Sequence, residues 1–431
     1  MNHRNICVGV DLSDSITQIS CYDDSKKEPI SIGVSYNGNM VYEIPTVLGY
    51  NIVNGMWYYG QEASEKGEAG KCISFRNILK LAAERDIYRA GTYKFNTYEL
   101  LKRFVGRVLT IIKAKYPYDK ISMLTLTVDE LTGPIKMKLV RILEENNIPQ
   151  NRYKIVDYKM SYMNYAVSQN SDLWQNNIGL FMFYRKFDKE NKTRLMTGLK
   201  YIQINVDRSS TPFLITSTVR DLRDIFLNDI EALKTDEEKI KAFADMASAI
   251  FYKNVITTVY ITGSMYVGDW LNKSLKKLCG GRRIFKGENL YSRGACYTSM
   301  NAISRDEKNY VIVDESGVSS NIYFKLYNDA RMENRLVVRA GSKWEQVDEN
   351  FDIIPDDEEE LVITIENIVT KQKRVHILSL NDFFGRENKM SRFSIRVRFA
   401  SIKEVVITVK DCGFGEFYES SNRIWELVIE T

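Results

Sequence analysis

Histidine is nearly absent: the 431 residues include two, His3 near the start and His376 within an alternating strand pattern. That scarcity argues against histidine acid/base chemistry and against a histidine-ligated metal, and it leaves His376 a structural or surface residue. Cysteine is sparse and scattered, at Cys7, Cys21, Cys72, Cys279, Cys296 and Cys412, with no C-x-x-C pair. Zinc and a disulfide framework are thereby disfavoured, and a reducing cytoplasm is the expected location. A charge excess is missing too, because 60 basic residues nearly balance 56 acidic ones to leave +4. No one-sided basic field exists to hold nucleic acid. No run approaches the roughly 20 apolar residues of a membrane helix, and the N-terminus carries no apolar segment with a cleavage site. A protein that neither spans a membrane nor leaves by a signal peptide is expected.

What is present is an ordinary globular composition, 44% hydrophobic and 27% charged, long enough for two or three domains. Ile6–Val10 and Ile16–Tyr22 read as strands around the polar turn Leu12-Ser13-Asp14-Ser15. Three short strands follow, at 30–35, 43–50 and 57–63, and then a polar stretch at 64–71. The spacing of Leu100, Leu101, Phe104, Val105, Val108, Leu109, Ile111 and Ile112 predicts a long amphipathic helix over 97–115. Strand 121–128, helix 134–145, strand 153–156 and helix 161–168 continue the alternation. From Ile178 the pattern changes to consecutive strands at 178–184, 194–206 and 212–217, followed by helices near 219–233 and 237–252. After Ile303 the chain reads almost wholly as short strands separated by polar loops, which predicts a separate antiparallel sandwich. The acidic run 356–360 lacks the interleaved ligands of a calcium loop and reads as a solvated loop.

The most informative stretch is 259–296. The β-branched run Val259, Tyr260, Ile261 ends at Gly263-Ser264, and a helical pattern with Trp270, Leu271, Leu275 and Leu278 stops at Gly280-Gly281. A strand-glycine-helix junction either seats a nucleotide on the free N–H groups of the helix or simply turns the chain.

The order of these segments resembles the actin, sugar-kinase and heat-shock ATPase superfamily, most specifically the DnaK-type (70-kDa heat-shock) chaperones. Val8-Gly9-Val10-Asp11-Leu12-Ser13-Asp14-Ser15 stands where that family has its first phosphate loop. Ile44-Pro45-Thr46-Val47 and Tyr59-Gly60-Gln61-Glu62-Ala63 resemble its next two signatures. The strand 124–128 and the segment 159–168 stand for its Val-Pro strand and Glu-Pro-Thr-Ala helix, and 259–296 for its adenosine motif, with Gly263-Ser264 and Arg293-Gly294-Ala295 at the two ends. Tyr310-Val311-Ile312-Val313-Asp314 resembles the interdomain linker, and 335–344 and 405–411 resemble strands of the substrate-binding sandwich. The resemblance implies an α/β, two-lobed actin-like ATPase domain over 1–305 (lobes about 1–170 and 171–305), a linker at 306–316 and an all-β antiparallel sandwich over 317–431. The helical lid of that family is expected to be missing.

Departures from the pattern bear on chemistry. Ser13 replaces a glycine, Asp14 places a second carboxylate beside any phosphate, the turn 185–192 has no glycine, and Lys159 stands where a catalytic Glu is expected. The nucleotide-binding candidates are therefore Asp11, Ser13, Ser15, Gly263, Ser264, Tyr266 and Gly294. Asp11 would hold magnesium through water only if nucleotide binds. Tyr266 either stacks on adenine or is a surface aromatic, and Lys186, Lys189 and Lys192 either replace glycine contacts or form a solvated hairpin tip. The expected function is a chaperone-like interaction protein with a degenerate, catalytically inactive nucleotide-binding domain and a sandwich that holds a peptide or protein partner. No catalytic residue is assigned. The alternative is an ATP-hydrolysing switch that couples ATP/ADP and magnesium to the sandwich through Val311, Ile312, Val313 and Asp314.

Overall fold

The computed structural model describes residues 5–187, 195–209, 212–222, 235–263, 269–278, 280–304, 308–313, 317–328, 331–356, 360–380 and 386–431. The chain divides into two units, the first formed by residues 1–206 and 217–307, the second by 207–216 and 308–431.

In the first unit, Ile6, Val8, Val10 and Leu12 alternate with Cys7, Gly9 and Asp11, so strand β1 (Asn5–Leu12) turns one apolar face to the core. It forms a hairpin with β2 (Ile16–Asp23), and β3 (Glu28–Ile32) continues the meander. Helices α1 (Gly60–Glu68), α2 (Ile78–Glu84) and α3 (Thr97–Lys115) follow, the last with its apolar stripe at the predicted positions. Asn96 starts α3 by accepting from the Glu99 N–H at 3.2 Å. Strand β4 (Lys120–Val128), helix α4 (Gly133–Glu145, with Pro134 in its first turn), strand β5 (Tyr153–Asp157) and helix α5 (Tyr158–Val167) complete a crossover series. The sheet order is β5-β4-β1-β2-β3, with β4 parallel to both β1 and β5. The apolar side chains of α3 and α4, Leu101, Phe104, Leu139 and Leu143 among them, cover its apolar face. Burial of each contributes about 2 kcal/mol.

A second sheet repeats this plan. Strands β6 (Asn177–Phe187), β7 (Leu195–Asp207) and β8 (Phe213–Asp221) precede helix α6 (Asp236–Phe251), strand β9 (Ile256–Gly263), helix α7 (Asp269–Leu278), strand β10 (Arg283–Lys286) and helix α8 (Leu290–Ile303). The path β10-β9-β6-β7-β8 has the order of the first sheet's five-strand path, with two parallel strands added beside the first member; the sixth strand differs, Ile44–Pro45 pairing with β2 in the first sheet and Tyr310–Ile312 lying beyond β8 in the second. Helix α6 opens with a capping box, Thr235 and Glu238 each bonding the other's backbone. Helix α8 returns to the polar face of the first sheet, where Ser299 Oγ donates to the Val8 carbonyl at 2.8 Å and Ser20 and Ser292 share a hydrogen bond of 2.9 Å.

In the second unit, β11 (Tyr310–Ile312) runs parallel to residues 213–215 of β8. Two four-stranded antiparallel sheets then form a sandwich. One has the order β13-β12-β15-β16, from β12 (Ser320–Asn328), β13 (Arg331–Val338), β15 (Glu360–Asn367) and β16 (Lys373–Ser379). The other has the order β14-β17-β18-β19, from β14 (Asp348–Ile353), β17 (Phe393–Ser401), β18 (Glu404–Asp411) and β19 (Ile424–Glu430). Phe324, Ile363, Phe393, Val397, Ile407 and their neighbours interdigitate between the sheets.

Several sequence expectations need correcting. Residues 60–63 are not strand but the first turn of α1, and α1 takes up most of the polar stretch expected at 64–71. The strand expected at 43–50 is broken into Ile44–Pro45 and Leu48–Tyr50, which join different sheets. The helix expected near 219–233 begins as the end of β8, and residues 223–234 lie outside the described residues. Strand β14 was not expected: Asp348, Asn350 and Asp352 hide an alternation with Phe351 and Ile353.

Candidate functional site

The two parallel additions to the first sheet bring the C-terminal ends of β1, β4 and β5 together, and the first helix after β5 starts beside them. Asp11, at the end of β1, is 4% exposed, and its Oδ1 accepts a hydrogen bond of 2.7 Å from the Tyr158 hydroxyl at the start of α5. Burial is the main influence on Asp11. It raises the carboxyl to about 7, against the lowering effect of the Tyr158 hydrogen bond and with a smaller raising contribution from Asp129. The same burial, with the charge of Asp11, pushes the Tyr158 phenol well above its ordinary range.

Tyr158 stacks on Tyr291 of α8, ring centres 3.7 Å apart and planes within 7°. The Tyr291 hydroxyl donates to Met182 Sδ of β6 at 2.8 Å. A continuous column therefore runs from Asp11 in the first sheet through two tyrosines to the second sheet. Beside it, Lys200 of β7 sits 3.4 Å from Asp129 Oδ1 and 3.3 Å from Glu130 Oε1. Gln18 of β2 donates to Asn289 at the N-terminus of α8, and Asn289 donates to Ser31 at 2.9 Å. Each of these links joins elements of the two sheets or of the helix between them.

The hairpin tip is occupied by its own groups. Ser13 Oγ accepts from the Ile16 N–H at 3.1 Å and donates to the Ile16 carbonyl at 2.8 Å, and the Ser13 N–H bonds the same carbonyl at 3.2 Å. Ser15 places its Oγ 3.2 Å from Ser13 Oγ, and its carbonyl accepts from the Thr46 N–H. Asp14 Oδ1 accepts from the N–H groups of Leu79 and Lys80, at 2.8 and 3.2 Å, and so caps α2. Burial raises the Asp14 carboxyl in spite of those two bonds.

The adenosine-side candidates divide. Gly263 has φ +119°, and a Cβ there would lie 1.9 Å from the Phe183 carbonyl oxygen, so the residue is required by the approach of β9 to β6. Gly294 lets α8 meet α5, since a Cβ would lie 2.1 Å from the Ser161 carbonyl oxygen. Ser264 and Tyr266 lie outside the described residues, as does Asp314. Lys159 pairs with Asp157 at 3.0 Å. Strands β6 and β7 pair as far as Phe187 opposite Leu195, and residues 188–194 of the turn, Lys189 and Lys192 included, lie outside the described residues. Val311, Ile312 and Val313 belong to the second unit. There the first two pair with Leu214 and Ile215, the Val313 N–H bonds the Ile215 carbonyl at 2.9 Å, and Val311 and Val313 pack on Leu214, Ala340 and Ile368.

A family model described as Family of unknown function (DUF5716) C-terminal matches residues 28–315. The chain belongs to the DUF5716 family. A second model, Domain of unknown function (DUF8552), matches residues 317–431, the span of the sandwich. A search of curated proteins returns no match for this DUF5716 chain.

A magnesium nucleotide at the β1-β2 hairpin would need backbone N–H groups turned toward phosphate and a carboxylate facing water. At the hairpin the Ser13 and Ile16 N–H groups are bonded within the turn, and Asp11 is buried against Tyr158. Among the described residues no three His, Cys, Asp or Glu groups cluster closely enough to hold a metal ion. Chemically, the arrangement ties two sheets together and keeps one carboxyl near its titration point. Sequence reasoning found Asp11 but missed Tyr158, Tyr291, Asp129, Glu130 and Lys200. The position of Tyr158 directly after a strand ending in the helix-capping Asp157 was the one available signal.

Proposed function

We propose that this chain is a chaperone-like interaction protein. Its first unit is an actin-like, two-lobed domain whose nucleotide cleft is catalytically inactive, and its sandwich holds a peptide or protein partner. The repeated plan of the two mixed sheets supports the actin-like reading, since each carries a meander with two parallel strands added at the same side. The observation that carries the inactive reading is the internal use of the hairpin's polar groups. Asp14 caps α2, Ser13 closes its own turn, and Asp11 is buried on Tyr158 in the column that continues to Met182. In place of a nucleotide bridging two lobes, the protein's own side chains bridge them. Function then lies in the partner that the sandwich holds.

Steady-state release of phosphate from ATP with magnesium is the test. Turnover at the buffer background, unchanged in Asp11→Ala, is expected. Turnover above background that disappears in Asp11→Ala would sink the inactive reading and favour an ATP-driven switch.

A further inference from the structure

Two backbone bonds fix which groups of β19 face away from its sheet. The Asp411 N–H bonds the Arg423 carbonyl at 3.1 Å, and the Thr431 N–H bonds the Lys403 carbonyl at 2.8 Å. Bonded pairs alternate along an antiparallel ladder, so Trp425, Leu427 and Ile429 turn their backbone groups to β18. The N–H and C=O groups of Ile424, Glu426, Val428 and Glu430 therefore point outward. β19 is the last strand of its sheet, and among the described residues no group bonds them. The other three edges of the sandwich carry features that stop further pairing. β13 has Arg331, Arg335 and a register shift between Ile322 and Tyr323 of its partner, and β16 opens with Lys373 and Arg374. β14 has Asp348 and Asp352, already held by Arg396 and Arg392 at 2.6 and 3.9 Å. β19 has no lysine, arginine or proline, and its seven pairs with β18 run without a bulge.

We propose that β19 takes up an extended peptide as a fifth strand of its sheet, with a basic residue at every fourth position of the peptide. The proposal rests on the reading that the sandwich holds a peptide or protein partner, and it names the site. The outward N–H and C=O groups select an extended backbone, whose own groups continue the ladder. Side chains select the sequence. The exposed row alternates apolar and acidic residues: Ile424, 61% exposed, Glu426, Val428, 54% exposed, and Glu430. Glu430 stands directly opposite Glu404 of β18, an unfavourable pairing of like charges. Among the described residues Glu404, Glu426 and Glu430 form no ion pair, and the basic residues of the same face, Arg396, Arg398 and Lys410, lie on β17 and β18, inward of the edge. Lysines opposite Glu426 and Glu430 answer these charges, and apolar residues alternating with them cover Ile424 and Val428. The spacing is the same whichever way the peptide runs. On the core side of β19, Leu427 is half-buried, and a fifth strand completes its cover.

Fluorescence anisotropy of the labelled peptide TKTVTKTVT with the full chain is the test. Saturable binding with a dissociation constant of about 1 to 100 µM is expected, and the charge-reversed peptide TETVTETVT should bind at least about tenfold more weakly. The double variant E426K/E430K should invert that preference, which a change in folding alone would not do. Val428→Pro removes an outward N–H and no bond to β18. It should abolish binding and leave the urea unfolding midpoint near that of the wild type; the charge exchange decides if this variant fails to fold. No saturable binding of TKTVTKTVT, or binding that both variants leave intact, overturns the proposal. An array of unrelated peptides separates it from the reading on which it rests. Peptides held alike by the wild type and Val428→Pro put the partner elsewhere on the chain and sink the edge alone, whereas an array with none held removes the peptide-holding reading as well.

Discussion

Replacing Asp11 by asparagine tests the column where it starts. The carboxyl is buried and titrates near 7, whereas an unfolded chain exposes it at its ordinary 3.8. A carboxyl whose folded pKa is raised stabilises the fold in its protonated form. That contribution is fully present below 3.8 and is lost as pH rises through about 7. At 1.36 kcal/mol per pH unit, the gap between the two values corresponds to about 4 kcal/mol. Asparagine keeps the shape and the oxygen that accepts from Tyr158, and it carries no titrating proton. Urea unfolding of both proteins from pH 4 to 8 at constant ionic strength should therefore give nearly equal stabilities near pH 4. Asp11→Asn should be the more stable by a few kcal/mol at pH 8, with most of the divergence between pH 5 and 7. Taking the difference between the two proteins cancels the other titrating groups. A difference that stays flat with pH, or a wild type that is the more stable at pH 8, would refute the reasoning.

Three further substitutions probe the same framework. Asp14→Ala removes the acceptor for the Leu79 and Lys80 N–H groups and should cost about 1 kcal/mol in urea unfolding, a loss that a carboxylate free at a hairpin tip would not produce. Gly294→Ala drives a Cβ to 2.1 Å from the Ser161 carbonyl oxygen and should cost about 3 kcal/mol or more, while Gly280→Ala, with open space around it, should stay within about 0.5 kcal/mol; differential scanning calorimetry compares the two. In the sandwich, Arg386 holds both oxygens of buried Asp411 at 2.7 Å. Burial would raise that carboxyl, but Arg386, Ser421 and the Gly413 N–H hold it well below the usual carboxylate range. Arg386→Ala strands the charge and should cost about 3 kcal/mol at pH 7, measured by urea unfolding, with part of the loss recovered in the double variant R386A/D411N.

Where local physics decides structure, the sequence was readable. The eight apolar positions from Leu100 to Ile112 fix a helix without help from the rest of the chain, and the β-branched run at 259–261 fixes a strand. Asp11 was visible because a polar residue ending an apolar strand is conspicuous. Tyr158 and Tyr291 were not visible. They are 133 positions apart and meet only because Gly294 admits α8 to the backbone of α5 at Ser161. Nor could residue order show that 207–216 group with the sandwich unit, since that depends on the parallel pairing of β11 with residues 213–215. The sequence showed Asp14 as a second carboxylate at the hairpin. Its positive use, capping a helix 65 residues later, is a tertiary fact.

Calorimetric titration of the full chain with ATP and with ADP, each with and without magnesium, tests most directly whether the protein's own side chains have replaced the nucleotide. No saturable heat is predicted at ligand concentrations up to about 1 mM, the weak end of the affinity scale. Saturable, magnesium-dependent binding that Asp11→Ala abolishes would contradict the proposal.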